Sequence, residues 1–142
     1  MARCFRIEQA ERLLPRIERT LQELLPQKKA FDELKRELHG AARRITLAGG
    51  YRVDPEALAR KRRDAETLKA AINSTLESVQ QCGCVVKDLD LGLVDFPALL
   101  HGEEICLCWK LGERRITYWH RLSEGFAGRK PIDEEFRAAH GS

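Results

Sequence analysis

The sequence predicts an α+β protein in which a long antiparallel helical hairpin packs on an antiparallel sheet of three to four strands. Apolar residues recur at three- and four-residue steps in the first half of the chain and at every second residue in parts of the second half. Glycine or proline separates these segments. We expect a single domain over 1–142, with the hairpin at about 15–82, a β-meander at about 84–121 and a loop and tail at 122–142.

The first long helix is predicted to begin at Pro15, because a proline in the first helical turn loses no hydrogen bond. Its apolar stripe consists of Ile17, Leu21, Leu24, Phe31, Leu38 and Ile45. Pro26 interrupts this stripe and predicts a kink or a break. Ala48 is followed by two glycines, which commonly end a helix.

The second helix has a well-marked start, since Asp54 is a candidate N-cap and Pro55 suits the first helical position. Its apolar face consists of Leu58, Ala65, Leu68, Ile72, Leu76 and Val79, and Gly83 ends it. The short connection between the helices predicts that they fold back antiparallel. One more helical turn is expected near Phe136.

The sheet is predicted from alternating residues. Apolar residues at every second position of one strand are Ile105, Leu107 and Trp109. A two-residue hairpin loop at Gly112 and Glu113 would then return the chain, with glycine at a position of positive φ. This register places Leu107 opposite Tyr118 on the next strand.

A further strand, 93–96, ends at Pro97. It is predicted to pair antiparallel with the strand that contains Leu107, so that Val94 lies near Leu107. The face predicted to be the core carries Val94, Phe96, Ile105, Leu107, Trp109, Ile116 and Tyr118. The opposite face is predicted to carry Asp95, Cys106, Cys108, Lys110, Thr117 and Trp119.

Composition excludes several classes of protein. An apolar content of 43% and a charged content of 33% are typical of a folded chain. No apolar run approaches the roughly 20 residues needed to cross a bilayer, and the start of the chain lacks the apolar stretch of a signal peptide. Five cysteines, an odd number, favour reduced thiols and a cytoplasmic location. A net charge of +3 is too small to indicate nucleic acid by itself.

Several motifs resemble one known family: KDLDLGLVDFP (87–97), LCWKLGE (107–113), YWH (118–120), GFAGR (125–129) and the opening FRIEQAERLLP (5–15). They are similar to the bacterial domain of unknown function family 2203, and the likeness covers nearly the whole chain. The resemblance implies a small cytoplasmic bacterial protein with no established activity.

Four cysteines invite a zinc hypothesis: Cys82, Cys84, Cys106 and Cys108. Structural zinc sites use a Cys-x2-Cys spacing, whereas these pairs have one intervening residue. Because residues two apart on a strand lie about 6.6 Å apart and point in parallel, we interpret the thiols as small apolar residues of the sheet and predict no metal and no cofactor.

A group of acidic residues lies with one imidazole: Asp88, Asp90, Asp95, Glu113 and His120. The candidate catalytic residues among them are Asp88, Asp95, Glu113 and His120. Such residues could hold a divalent ion or perform acid–base chemistry. In the predicted register, however, Asp95 and His120 fall on opposite faces of the sheet. Asp88 suits a turn and Glu113 a solvated hairpin tip.

Basic residues are expected to gather at the tip of the hairpin: Arg43, Arg44, Arg60, Lys61, Arg62 and Arg63, with Arg52 in the connection. They could contact the phosphates of RNA, although a solvated helical surface explains them more simply.

The loop 125–129 has two glycines and Arg129, an anion-binding side chain, and with Lys110 and Trp119 it could form a shallow ligand pocket. Otherwise it is a tight turn with Arg129 paired to an acid such as Asp95 or Glu124.

From the sequence we favour a non-enzymatic binding or interaction module, with a homodimer through the hairpin or the Trp119 face as a further expectation. A small metal-assisted enzyme using Asp88, Asp95, Glu113 and His120 is the second hypothesis. RNA contact through the basic tip is the third. No membrane partner is predicted.

Overall fold

The computed structural model describes residues 4–48 and 54–140. The helices are α1 (Ile7–Ala48), α2 (Pro55–Gln80) and α3 (Glu134–Ala139), and the strands are β1 (Val85–Asp88), β2 (Leu93–Leu100), β3 (Glu103–Lys110), β4 (Tyr118–Arg121) and β5 (Lys130–Pro131). The predicted α+β class is confirmed, with five antiparallel strands in place of three or four. In the described ranges no helix combines the length and the apolar character that crossing a membrane requires.

The chain divides into two compact units, which we describe separately. The sheet unit comprises the described residues of Met1–Gln22 and Leu76–Ser142, and the helical unit is Glu23–Thr75. The grouping of 1–142 into one domain stays a prediction.

The predicted start at Pro15 and the predicted break at Pro26 are wrong, since the helix starts at Ile7 and continues through both prolines. A kink at Pro26 stays a prediction. A proline inside a helix costs about 3 kcal/mol, because it removes one hydrogen bond and crowds the preceding turn. Both prolines are exposed, so the carbonyls they release can bind water. Burial of Ile17, Leu21 and Leu24, worth roughly 1.5–3 kcal/mol per side chain, outweighs that cost.

The predicted start of α2 is confirmed. The Asp54 carboxylate accepts hydrogen bonds from the backbone N–H groups of Glu56 and Ala57 at 3.0 and 3.4 Å, as an N-cap does. In the helical unit α2 contacts α1 through an ion pair in which Lys61 Nζ lies 3.1 Å from a carboxylate oxygen of Glu37. The glycines that follow Ala48 and the connection containing Arg52 lie outside the described residues.

The five strands of the sheet lie in chain order. Strand β2 pairs with β3 two residues away from the predicted register, so Val94 lies opposite Trp109 and Phe96 opposite Leu107. This shift of two leaves the predicted faces unchanged. Strand β2 also continues through Pro97, because β1 pairs only with its first three residues and leaves that stretch of β2 without a strand on one side.

Strand β4 is one residue out of the predicted register: Leu107 lies opposite Trp119, and Cys106 lies opposite His120. The turn after β3 is centred on Leu111 and Gly112, since Glu113 N–H donates to the Lys110 carbonyl oxygen at 2.9 Å and Gly112 has a φ of 105°. Residues 114–117 then lengthen the connection. A shift of one residue exchanges the two faces, so Trp119 and His120 each lie on the face opposite to the one predicted.

The apolar face of the sheet packs against the beginning of α1. The rings of Phe5 and Phe96 meet edge to face with centroids 5.4 Å apart, and Phe5 N–H donates to the Pro97 carbonyl oxygen. Glu11 reaches the same layer and accepts a hydrogen bond from Ile116 N–H at 3.1 Å. The side chains on this face that are fully buried are Val94, Phe96, Ala98, Ile105, Leu107 and Trp109.

Helix α3 covers the end of the sheet near Trp119. Phe136 packs on Trp119 with ring centroids 5.3 Å apart, which buries that tryptophan. His140, next to Phe136, accepts a hydrogen bond from Ile7 N–H at Nε2 and donates from Nδ1 to the Leu99 carbonyl oxygen, each at 3.0 Å. The helical turn predicted near Phe136 is therefore confirmed.

Candidate functional site

The second face of the sheet, which we call the polar face, carries Asp95, Cys106, Cys108, Tyr118 and His120. Asp95 and His120 are the two buried polar or charged side chains in the described part of the chain, with exposed fractions of 4% and 3%. They come from β2 and β4, and the two cysteines come from β3 between them. Three neighbouring strands therefore direct ionisable side chains to one place.

Asp95 and His120 contact each other directly: His120 Nε2 lies 3.1 Å from Asp95 Oδ2. The other ring nitrogen, Nδ1, lies 2.8 Å from the Arg121 carbonyl oxygen. Because a carbonyl oxygen only accepts hydrogen bonds, Nδ1 carries a proton, and Nε2 is the nitrogen that faces the carboxylate. The prediction that these residues lie on opposite faces was wrong, and the reason is the one-residue shift of β4.

Both cysteines of the polar face are poor acids. Burial, together with the nearby negative charge of Asp95, raises the pKa of Cys106 and of Cys108 to about 11. Each side chain is therefore a neutral thiol near pH 7, and neither is a thiolate nucleophile.

A pocket of about 230 Å³ opens onto this group, and we call it the polar-face pocket. Asp95, Cys106, Cys108 and His120 line it together with Lys87, Leu93, Leu122, Glu124, Gly125 and Phe126. Two of these residues are exposed apolar side chains, Leu122 at 60% and Phe126 at 38%. The pocket therefore combines buried polar groups with apolar side chains at its rim, as ligand sites commonly do.

Arg129 is held beside this pocket. Its guanidinium donates two hydrogen bonds to the Glu113 carboxylate, at 2.8 and 3.2 Å, and lies 3.9 Å from the ring centre of Tyr118 and 4.3 Å from that of Phe126. The acid that pairs with Arg129 is thus Glu113, and neither Asp95 nor Glu124. Lys110 approaches Phe126 from the same face, with Nζ 5.6 Å from the ring centre.

The other predicted site residues have separate places. Asp88 accepts a hydrogen bond from Leu91 N–H at 3.0 Å, a turn-forming contact, and Glu113 is held by Lys110 N–H and Arg129. Trp119 lies on the face opposite Lys110, so the pocket predicted from Lys110, Trp119 and Arg129 does not form around Trp119. The basic residues of the helical unit are exposed: Arg43, Arg44, Arg60, Lys61, Arg62 and Arg63.

Sequence reasoning missed Cys106 as a partner of Asp95 and His120. One ligand atom from each of these three residues lies within 4.8 Å of the other two. The sequence signal that could have revealed this is the pair Arg114-Arg115, which breaks the alternation after the turn and so permits a longer connection. The other two cysteines of the zinc hypothesis, Cys82 and Cys84, lie beside each other, with their Sγ atoms 3.4 Å apart.

The fold and site define a small α+β protein with a pocket on one face of an antiparallel sheet. The chain belongs to the family described as "Uncharacterized conserved protein (DUF2203)", whose model matches residues 3–132. The resemblance found in the sequence motifs is thereby confirmed. No curated protein matches the chain, and no solved structure matches it.

Proposed function

We propose that the protein is a non-enzymatic binding module that holds a small ligand or ion in the polar-face pocket. The observation that carries this proposal is the buried Asp95–His120 pair at the pocket wall. Burying a carboxylate and an imidazole costs several kcal/mol of desolvation, and apolar residues of similar size would often stabilise the sheet as well or better. Polar groups retained at such a cost in a pocket are typical of a binding site.

The contacts around the pocket favour binding over catalysis by the protein's own side chains. Both ring nitrogens of His120 already have partners, so neither is free to take a proton from a substrate. The thiols of Cys106 and Cys108 are neutral, and Arg129 is paired with Glu113. The metal-assisted enzyme remains the second candidate, because a bound ion would change the role of His120.

The location in a cytoplasm, the homodimer and the contact with RNA stay proposals from the sequence. The first of these is supported by the absence of disulfides among the cysteines of the described residues.

The test is a fragment screen of the chelator-treated protein, followed by amide chemical-shift mapping. We expect fragment hits to shift the amides of 93–96, 106–108 and 120–126. The internal control is the pocket lined by Trp119, Lys130 and Phe136, which is larger, at about 400 Å³, but has no buried ionisable pair. Hits that collect there, or a protein that binds neither fragments nor a divalent ion, would contradict the proposal. A fragment recovered chemically changed would favour the enzyme.

A further inference from the structure

The three groups that meet at the pocket wall are a carboxylate, a thiol and an imidazole, which is a set of ligands that borderline transition-metal ions prefer. Tetrahedral zinc, with bonds of about 2.0 Å to oxygen and nitrogen and about 2.3 Å to sulfur, separates its ligand atoms by about 3.3–3.6 Å. His120 Nε2 and Asp95 Oδ2 are already 3.1 Å apart, and the Cys106 sulfur lies within 4.8 Å of a ring nitrogen of His120 and of a carboxylate oxygen of Asp95. A small movement of the Cys106 side chain toward the other two groups would bring the three ligand atoms to the separations that zinc requires.

The orientation of His120 also fits a metal ligand. Its Nδ1–H donates to the Arg121 carbonyl oxygen, so the lone pair that can bind a metal belongs to Nε2, which points at Asp95. A backbone carbonyl that fixes the imidazole in this way is the usual outer contact of a metal-bound histidine. The Arg121 carbonyl thus orients the imidazole of His120 and does not itself occupy the pocket.

Charge is conserved when a divalent ion replaces the protons now held at the site. One proton leaves the Cys106 thiol, a second leaves the hydrogen bond between His120 and Asp95, and both pass to solvent. The ion with one thiolate, one carboxylate and a neutral imidazole then has no net charge, which suits a buried position.

We propose that Asp95, Cys106 and His120 bind a divalent transition-metal ion of the zinc type, with a further coordination position open to the polar-face pocket. This inference rests on the proposed binding function and names the ligand class. Catalytic zinc sites have three protein ligands and take water or substrate at the fourth position, whereas closed structural sites use four protein ligands. Here the fourth position would take the ligand of the polar-face pocket. The inference departs from the sequence prediction of no metal, which rested on the cysteine spacing and on a register that placed Asp95 and His120 on opposite faces of the sheet.

The test uses the chelator-treated full chain, with Zn²⁺ followed by calorimetry and Co²⁺ followed by its absorption spectrum. We expect one ion per chain, a thiolate-to-cobalt charge-transfer band and no binding of Mg²⁺ at the same concentration. Cys106→Ser should abolish that band and weaken zinc by about 100-fold, since it removes a ligand directly. Cys108→Ser is the matched control, because Cys108 lies two residues away on the same face, and it should keep both.

All variants are made in a Cys82→Ser/Cys84→Ser background, since those two sulfurs, 3.4 Å apart, form the competing thiol pair. Loss of metal in that background alone, or equal binding by the Cys106 and Cys108 variants, would overturn the inference. Asp95→Asn is a second variant that leaves the sulfur unchanged; circular dichroism checks its fold, and zinc binding should again weaken. Fragments that bind the metal-free protein while no ion binds would sink the metal site and leave the proposed function standing.

Discussion

The two faces of the sheet are built from alternate residues of the same strands, and both are buried, but they are buried in different ways. On the apolar face Phe96, Leu107 and Trp109 are fully buried, and the ring of Phe5, just before α1, packs on Phe96. On the polar face Asp95 and His120 satisfy each other beneath an exposed phenylalanine and leucine. The apolar face has the composition of a hydrophobic core, whereas the polar face has the composition of a ligand-binding site.

This difference gives the two faces different roles in the free energy of unfolding. Apolar burial stabilises the fold by about 25 cal/mol per Å². A buried ion pair contributes little compared with apolar residues of the same shape, although breaking it by removing one partner is costly. Substitutions on each face of the sheet test this division.

Trp109→Ala should lower the free energy of unfolding by about 4 kcal/mol, because it empties a fully buried position and removes the hydrogen bond from Trp109 Nε1 to the Glu113 carbonyl oxygen. Cys108→Ala, one residue away on the polar face, should cost only about 1 kcal/mol. Urea denaturation of both variants makes the comparison. Equal losses would show that the polar face is as important to the fold as the apolar face.

Asp95→Leu should cost about 3 kcal/mol, because His120 is left buried without its partner. In the double variant Asp95→Leu/His120→Leu most of that loss should be recovered, since apolar side chains replace the whole pair. The coupling energy comes from a double-mutant cycle in urea. If the losses in unfolding free energy of the two single variants simply add in the double variant, Asp95 and His120 are not energetically coupled. That result would count against a role for the pair in binding.

Gly92→Ala should cost about 2 kcal/mol. Gly92 has a φ of 68°, and an added Cβ would lie 2.5 Å from the Leu111 Cβ. Gly102→Ala is the control, with a φ of 74° and open space around it, and should cost about 1 kcal/mol from backbone strain alone. Thermal unfolding of the two variants separates strain from crowding, and a larger loss at Gly102 would contradict the close packing of Gly92 against Leu111.

Phe126→Ala should have the smallest effect on stability, less than about 1 kcal/mol, because the ring is 38% exposed. It should nevertheless weaken fragments bound in the polar-face pocket by about tenfold, since the ring forms part of the pocket rim. Titration of one fragment hit against both proteins is the measurement. An unchanged affinity would place the binding site elsewhere.

Much of the fold was predictable because it follows local rules. The cap at Asp54, the alternation of β3 and the apolar stripe of α1 each depend on residues close in sequence. Pro15 and Pro26 are exceptions to those rules, because their local cost is smaller than the free energy gained by burying their apolar neighbours in the folded chain. Strands β1 and β5 were missed because edge strands of four and two residues carry too little alternation to detect.

The candidate site depends on a single register, and for that reason it was predicted only in part. Asp95 and His120 were both identified as candidates, but a two-residue turn at Gly112 and Glu113 placed them on opposite faces. The actual connection is held by contacts specific to this fold: Trp109 Nε1 and Lys110 N–H donate to Glu113, whose carboxylate also binds Arg129. Such contacts are not visible in the alternation of apolar residues.

The most direct test of the account is a crystal structure of the chelator-treated protein soaked in Zn²⁺, with an anomalous difference map recorded at the zinc absorption edge. The account predicts one strong peak bounded by Asp95 Oδ2, Cys106 Sγ and His120 Nε2. A peak between Cys82 and Cys84, or no peak within bonding distance of His120, would contradict it.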